Sequence, residues 1–274
     1  MSAPPSTRGL RWFQALTGAE GLLPDAPRTV RVADARIGAD LARCIAVVAD
    51  LANRFPRARA GELGLDEAWT LAQQVRRTLA EPAAGPPRPL VAVVDVSSQA
   101  YGRREELLGI HLACAAAVDA YASARLAGHP LIALLVGKAM SGGLLAHGYQ
   151  ANRILALDAA AVQVHAMSQE AAARITHRTV EELGELGERI VPMAYDIRSF
   201  ARLGLLWRLI EGVNAEAPGV ADVERVRAAL AEAIADARAT PPDLRQRLQS
   251  AEARELRAAS LSVRQRLAAQ WDEG

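Results

Sequence analysis

The sequence predicts an α/β fold wound as a spiral of ββα turns, with helical extensions at its N-terminal and C-terminal ends. Two short apolar runs, residues 90–94 (LVAVV) and 131–136 (LIALLV), have the unbroken aliphatic character of strands buried on both faces. They lie about forty residues apart with one long helical stretch between them, the signature of a βαβ crossover. Two more strand candidates, 153–157 and 161–165, follow at shrinking intervals, which suits a spiral better than an evenly spaced doubly wound sheet.

Taken in order, residues 1–7 are rich in proline and serine, and residues 1–40 hold Gly9, Gly18, Gly21, Pro24 and Pro27. That turn chemistry predicts an irregular arm with one short strand at 29–32. From 39 to 54, Leu41, Ile45, Val48 and Leu51 recur at helical spacing and predict a helix. Asp66 is placed to cap another helix that runs to about residue 80 and stops before the breaker 82–89 (PAAGPPRP). The run 90–94 ends in Asp95-Val96-Ser97-Ser98, at the kind of strand terminus where α/β proteins bind ligands. Residues 104–127 read as one long helix, substantially buried through Leu108, Leu112, Ala116, Tyr121 and Ala124, and ended by Gly128.

After the second strand comes a loop, 137–143 (GKAMSGG), and a short helix through Gly148. From Gln169 the chain is largely helical, with Thr179 set before Glu181 and Glu182 and a break at Pro192. Thr240-Pro241-Pro242-Asp243 has the cap, proline and acidic residue of a helix start. The last helix, to about residue 270, carries arginines and leucines on different sides; a solvated surface helix and a partner-binding helix both fit it. One domain spans 1–274, with its core at about 88–212 and a C-terminal helical extension at about 219–270.

Composition narrows the function. The chain is 51% hydrophobic and 23% charged, enough for one large core. Thirty-two Lys plus Arg nearly cancel thirty-one Asp plus Glu, so no net field recruits nucleic acid or an anionic membrane. Cys44 and Cys114, seventy residues apart and outside any CxxC, read as buried thiols of a reducing compartment, with no metal site. No apolar stretch reaches the roughly 18 residues of a membrane span, and the expected location is cytoplasmic. Alanine is abundant and aromatic residues are 4%, which favours close approach of backbones.

The chemistry concentrates in the glycine loop. Gly142 and Gly143 leave backbone N–H groups uncovered at a strand-to-helix turn, where they can bind an oxyanion. The same two glycines also suit a turn needed only for close packing. Ala139-Met140-Ser141-Gly142-Gly143 reads as A-x-S-x-G, a relative of the nucleophile elbow, with His165 or His177 as base and Asp158 or Asp196 as third member. The spacing of Ser141 and His165 resembles that of the Clp-type peptidases. In the second loop, 95–102 (DVSSQAYG), Tyr101 is placed to cover a ligand or to pack, and Ser97 and Ser98 to donate to a carboxylate or to cap a helix. Lys138 is a carboxylate or phosphate partner, or a plain surface charge.

The order of these segments resembles the alpha half of the acetyl-CoA carboxylase carboxyltransferase, of the crotonase superfamily. Asp95, Ala100-Tyr101, Glu105-Glu106, and Gly137 with Ser141-Gly142-Gly143 fall at the family's positions. Lys138, Ala139 and Met140 depart from that family's loop, as do Val96-Ser97-Ser98. GKAMSGG, AHGYQANRILAL, VHAM at 164–167 and PMAYDIRSFARLG at 192–204 together resemble the malonate decarboxylase gamma subunit family, over roughly residues 88–212.

The resemblance implies a crotonase-like (ClpP/crotonase) fold and obligate pairing with a homologous beta subunit. It further implies an acyl-carrier protein subunit bearing a phosphopantetheine-derived group, a malonyl/acetyl transferase subunit, no biotin, and no cofactor on this chain. Decarboxylation of a malonyl thioester would use Gly142 and Gly143 as backbone donors, each worth ~2.7 to 4 kcal/mol by precedent. Ser141 would position the loop, and Tyr101 with Gly102 would shape the cavity. Ser98, Lys138 and His165 complete the expected substrate-binding set. Gly143→Val would then abolish turnover by obstructing the loop. A carboxyltransferase alpha subunit, a Ser141/His165 hydrolase and a structural subunit with a vestigial loop remain the other readings.

Overall fold

The structure, a computed structural model, describes residues 5–82 and 85–272; the first four residues of the Pro/Ser-rich start, and 83 and 84 of the breaker, lie outside it. In chain order the elements are α1 (Arg8–Thr17), β1 (Val30–Ile37), β2 (Asp40–Val47), α2 (Leu65–Ala80), β3 (Leu90–Val96), α3 (Arg103–Leu107) and α4 (Ile110–Leu126). There follow β4 (Leu131–Met140), α5 (Ser141–Ala146), β5 (Arg153–Leu157), β6 (Gln163–His165), α6 (Gln169–Thr176), α7 (Val180–Arg189) and α8 (Ile197–Arg202). The chain ends with β7 (Arg208–Ile210), α9 (Val220–Arg238), α10 (Ala251–Leu256) and α11 (Ala258–Asp272).

The two apolar runs become β3 and β4, the centre of a sheet ordered β1-β2-β3-β4-β5-β7, parallel except for the β1–β2 hairpin. All seven residues of β3 are buried, which requires cover on both faces. The helices α1 and α9 pack together against the sheet, and α2 with α4 forms a second pair. The alanine stripe of α4 (Ala113, Ala117, Ala120, Ala124) is buried and lets α2 approach closely.

Several expectations are corrected. Residues 8–17 are a helix, because Gly9, Trp12, Phe13 and Leu16 form one buried stripe, and the predicted strand at 29–32 runs on to Ile37. The helix expected at 39–54 is instead β2; Cys44, Ile45, Ala46 and Val47 are all buried, so no alternation betrayed the strand. Asp66 does not cap α2: Gly64 holds the cap position and Asp66 pairs with Arg54. The long helix 104–127 is divided at Gly109 (φ 82°), and Leu108 and Leu112, expected to be buried, are 62% and 60% exposed. Thr240-Pro241-Pro242-Asp243 starts no α-helix; the next one is α10, capped by Ser250. By contrast, Thr179 and Glu182 do form a capping box on α7. Residues 137–140 belong to strand β4 rather than to a loop.

This last correction positions the site. Between Val94 and Val96 the β3–β4 register jumps, and beyond it β4 pairs β6 instead of β5. At the jump, Gly137 leaves room for Asp95, whose Oδ1 would lie 1.9 Å from any added Cβ. Asp95 accepts from Lys138 N–H at 3.1 Å, from Gly9 N–H at 3.0 Å and from Ser6 Oγ at 2.5 Å. One buried carboxylate thus satisfies the irregular strand and pins α1. Asp95→Asn, which turns one acceptor into a donor facing N–H groups, is expected to cost about 2 kcal/mol in urea unfolding; an unchanged midpoint would refute the clamp.

Candidate functional site

The end of β4 turns sharply into α5 at Ser141, which holds φ 54°, a left-handed conformation rare for a side chain with Cβ. That is the backbone shape of a nucleophile elbow. The chemistry differs. Ser141 Oγ donates to the carbonyl of Ala166 at 2.7 Å, and His165 Nδ1 lies on the backbone of Met167, 3.1 Å from its oxygen. The hydroxyl therefore locks the turn to the segment after β6 and is not activated by the imidazole. Asp158 is held by Arg198 at 2.7 Å, Asp196 caps α8, and His177 ends α6 in a left-handed conformation, so none of them completes a triad.

Ser141, Gly142 and His165 line one cleft of about 330 Å³, walled by Leu144, Leu145, Val164, Pro192, Phe200 and Leu203. The register explains their meeting, since Met140 on β4 faces His165 on β6. Gly143 lies beneath: an added Cβ would sit 2.6 Å from Val96 Cγ1 and 2.9 Å from the Ser98 carbonyl. A larger residue there collides inward with β3 and its loop, so Gly143→Val would disturb the turn through Val96 and Ser98. The amide of Gly142 is not bare, as the sequence had suggested. It donates to Gln99 Oε1 at 2.9 Å, and Ser98 Oγ donates to the same oxygen at 3.4 Å.

Three expected members stand apart from this lining. Tyr101 is exposed, with the Arg57 guanidinium 4.1 Å from its ring centre. Gly102 caps α3 and leaves space for Glu105. Lys138 projects to solvent from β4. Two residues that sequence reasoning left unmarked support the lining from behind, Gln99, within the quoted DVSSQAYG loop, through Gly142, and Tyr195, within PMAYDIRSFARLG, through His165. Tyr195 stacks on the His165 ring with centroids 3.9 Å apart and planes at 17°. Burial lowers the pKa of His165 below its ordinary range, partly offset by the bond to Met167. Burial also raises the Tyr195 phenol, with Glu170 adding to the effect.

Beneath the cleft, His147 is fully buried between the Tyr121 hydroxyl (Nδ1, 3.0 Å) and the Val93 carbonyl (Nε2, 3.1 Å). Nε2–H must donate to the carbonyl, leaving Nδ1 to accept from Tyr121. Burial pushes the imidazole down to about 4. Cys44 is buried and pushed up to about 12, whereas Cys114, only half-buried, rises to about 11. Neither thiol supplies a thiolate near neutrality.

The chain as a whole is similar to known proteins. Residues 58–271 match the family model described as malonate decarboxylase gamma subunit. A chain of a Pseudomonas malonate decarboxylase hetero-tetramer, solved with coenzyme A, is 56% identical with a TM-score of 0.91, over 97% of this chain and 100% of that one. A chain of the Pseudomonas malonate decarboxylase MdcD-MdcE hetero-dimer is 55% identical with a TM-score of 0.88, at the same coverage. The malonyl-S-ACP:biotin-protein carboxyltransferase MADD of Malonomonas rubra is 35% identical over 166 residues, 59% of this chain. The match spans 57% of the length of that curated relative. Transcarboxylase 12S, 21% identical with a TM-score of 0.59 over 77% of this chain and 36% of its own, shares the fold alone. The fold is thus the crotonase-like one that the family resemblance implied.

Proposed function

The chain belongs to the malonate decarboxylase gamma subunit family, and from that premise we propose that it forms half of a site that decarboxylates a malonyl thioester on an acyl-carrier protein. The other half comes from a homologous beta subunit. The observation that carries this reading is the cleft itself: apolar walls around a few polar groups, Ser141, the Gly142 amide, His165 and Tyr149. A carboxylate that leaves as neutral carbon dioxide gains from surroundings poor in water, and the charge moves toward the thioester oxygen, where fixed donors receive it.

The contribution of this chain is electrostatic. Gln99 Oε1 occupies the place of an acyl or carboxylate oxygen on Gly142 N–H, so binding exchanges one carbonyl oxygen for another as the flexible carboxamide swings aside. Gly143 allows the turn to sit against β3, Ser141 ties it to Ala166, and Ser98 braces Gln99. Tyr101, Gly102 and Lys138 lie outside the lining and would meet substrate only through the carrier arm or the beta subunit. Leu107 at the end of α3, Leu108 just after it and Leu112 on α4 are 77%, 62% and 60% exposed, an apolar surface that a second subunit would cover. The acyl carrier would bring the phosphopantetheine-derived arm, a malonyl/acetyl transferase subunit would load it, and biotin would have no part. The complex would work in the cytoplasm.

The test is carbon dioxide release from malonyl-carrier by the purified complex with the beta subunit, without biotin. Release that depends on both subunits is the expected result; its absence would refute the reading. The likeness to the carboxyltransferase of Malonomonas rubra favours a second reading, transfer of the carboxyl group to a biotin carrier, which predicts turnover only when that carrier is added. A fluorophosphonate is expected to leave Ser141 unlabelled, since its hydroxyl is committed to Ala166; labelling would revive the hydrolase.

A further inference from the structure

Loss of carbon dioxide leaves an enolate that must gain a proton, and this requirement selects one residue of the cleft. The described lining holds two titratable side chains, Tyr149 and His165. A phenol ordinarily keeps its proton until about pH 10, whereas an imidazole gives and takes one near neutrality. The other buried imidazole, His147, has both nitrogens committed beneath the site.

The setting of His165 suits the task. The Met167 peptide offers Nδ1 both an acceptor, its carbonyl at 3.1 Å, and a donor, its N–H at 3.3 Å. Nδ1 therefore keeps a partner whether or not it carries a proton, and Nε2 is free to change state. Among the described residues Nε2 has no hydrogen-bond partner of its own. The Tyr195 ring lies flat on the imidazole and fixes its plane, while Val164 N–H donates to the Tyr195 carbonyl at 3.0 Å and fixes the strand that carries it. The Tyr195 hydroxyl has no hydrogen-bond partner among the described residues, so the ring rather than the hydroxyl does the holding.

We propose that His165 delivers the proton that completes the reaction, with Tyr195 and Met167 as the residues that position it. This rests on the decarboxylase reading above. The bond between the carboxyl carbon and the α-carbon breaks, its electron pair passes into the enolate, and carbon dioxide leaves. The α-carbon then forms a C–H bond with the proton of Nε2, the imidazolium becomes neutral, and water restores the proton. Burial sets the titration of the ring, with the bond to Met167 opposing it; the titratable and charged groups on the elements around it are Tyr195 on its face, Asp196 beside Tyr195 in sequence, Glu170 of α6, Lys138 on β4 and Tyr149 in the same lining. No carboxylate is hydrogen-bonded to the imidazole among the described residues.

The experiment follows kcat and KM for carbon dioxide release by the complex with the beta subunit across pH. The wild-type kcat should fall as the pH rises through the lowered pKa of His165, on the acid side of the ordinary imidazole range, where the imidazolium is lost. His165→Gln and His165→Asn should lower kcat by about 10²-fold, the usual worth of a general acid, change KM by less than about threefold, and abolish that fall. Imidazole added to His165→Gly should restore part of the rate. Tyr195→Leu, which removes the stacked ring, should lose several-fold in kcat with KM kept. A wild-type complex that releases no carbon dioxide would overturn the decarboxylase reading together with this one. An active wild type, alongside a His165→Gln or His165→Asn complex with near-normal kcat and an unchanged pH profile, would overturn the His165 assignment alone.

Discussion

Gly143→Ala is expected to cost about 3 kcal/mol of stability and to abolish carbon dioxide release. The added Cβ would stand 2.6 Å from Val96 Cγ1 and 2.9 Å from both the carbon and the oxygen of the Ser98 carbonyl. Those atoms cannot retreat. Val96 is a buried residue of the central strand, and the Ser98 carbonyl accepts from Leu63 N–H at 2.9 Å while Ala100 N–H donates to the Leu63 carbonyl at 2.8 Å. Relief has to come from lifting α5 off β3, which moves Ser141 and Gly142 together. The neighbouring substitution supplies the control: a Cβ on Gly142 would meet the Gln99 carboxamide at 3.0 Å, the far end of a flexible side chain that can swing aside. Gly142→Ala should therefore melt within a degree or two of the wild type. Thermal melts of both variants in the assembled complex decide the matter, and a Gly143→Ala protein as stable and active as Gly142→Ala would remove this account of the turn.

How far the sequence shows this arrangement depends on where the physical signal lies. The strands β3 and β4 are legible because strands covered on both faces read as unbroken aliphatic runs. The same double burial hid β2, where Leu41, Ile45, Val48 and Leu51 imitate a helical period by coincidence of spacing. The first helix was masked by Gly9, whose missing side chain serves packing: an added Cβ would lie 3.0 Å from Asp95 Cβ. In the cleft, Ser141, Gly142 and His165 stand at strand ends, where chain order and periodicity place them. Gln99 and Tyr195 reach the site through contacts forty-three residues away on Gly142 and thirty residues away on His165, and no local pattern announces such pairs. Tyr101 and Lys138 have site-like chemistry but face outward: Tyr101 lies in the loop before α3 against Arg57, and Lys138 projects from β4, which runs on through residue 140 and turns only at Ser141.

Acidification is expected to destabilise the fold by about 3 kcal/mol between pH 6.5 and 4 through His147 alone. The imidazole is neutral in the folded protein down to about pH 4, because burial opposes its charge, while the unfolded chain takes up the proton near 6.5. The unfolded state thus binds more protons across that interval. Stability from this group is complete above 6.5 and is lost as the pH falls toward 4. Glu67 works in the opposite sense. It is fully buried and bonded to Thr29 and Asn53, with Oε2 unpartnered among the described residues, and burial raises its pKa, so the folded state holds that proton more tightly and loses stability as the pH rises. The two effects oppose each other in the wild type, and single variants separate them. His147→Gln should flatten the acid side of a plot of unfolding free energy against pH, whereas Glu67→Gln should leave the His147 decline steeper. Parallel curves for wild type and His147→Gln from pH 7 to 4 would show that the Tyr121–His147–Val93 chain does not hold a neutral imidazole under the cleft.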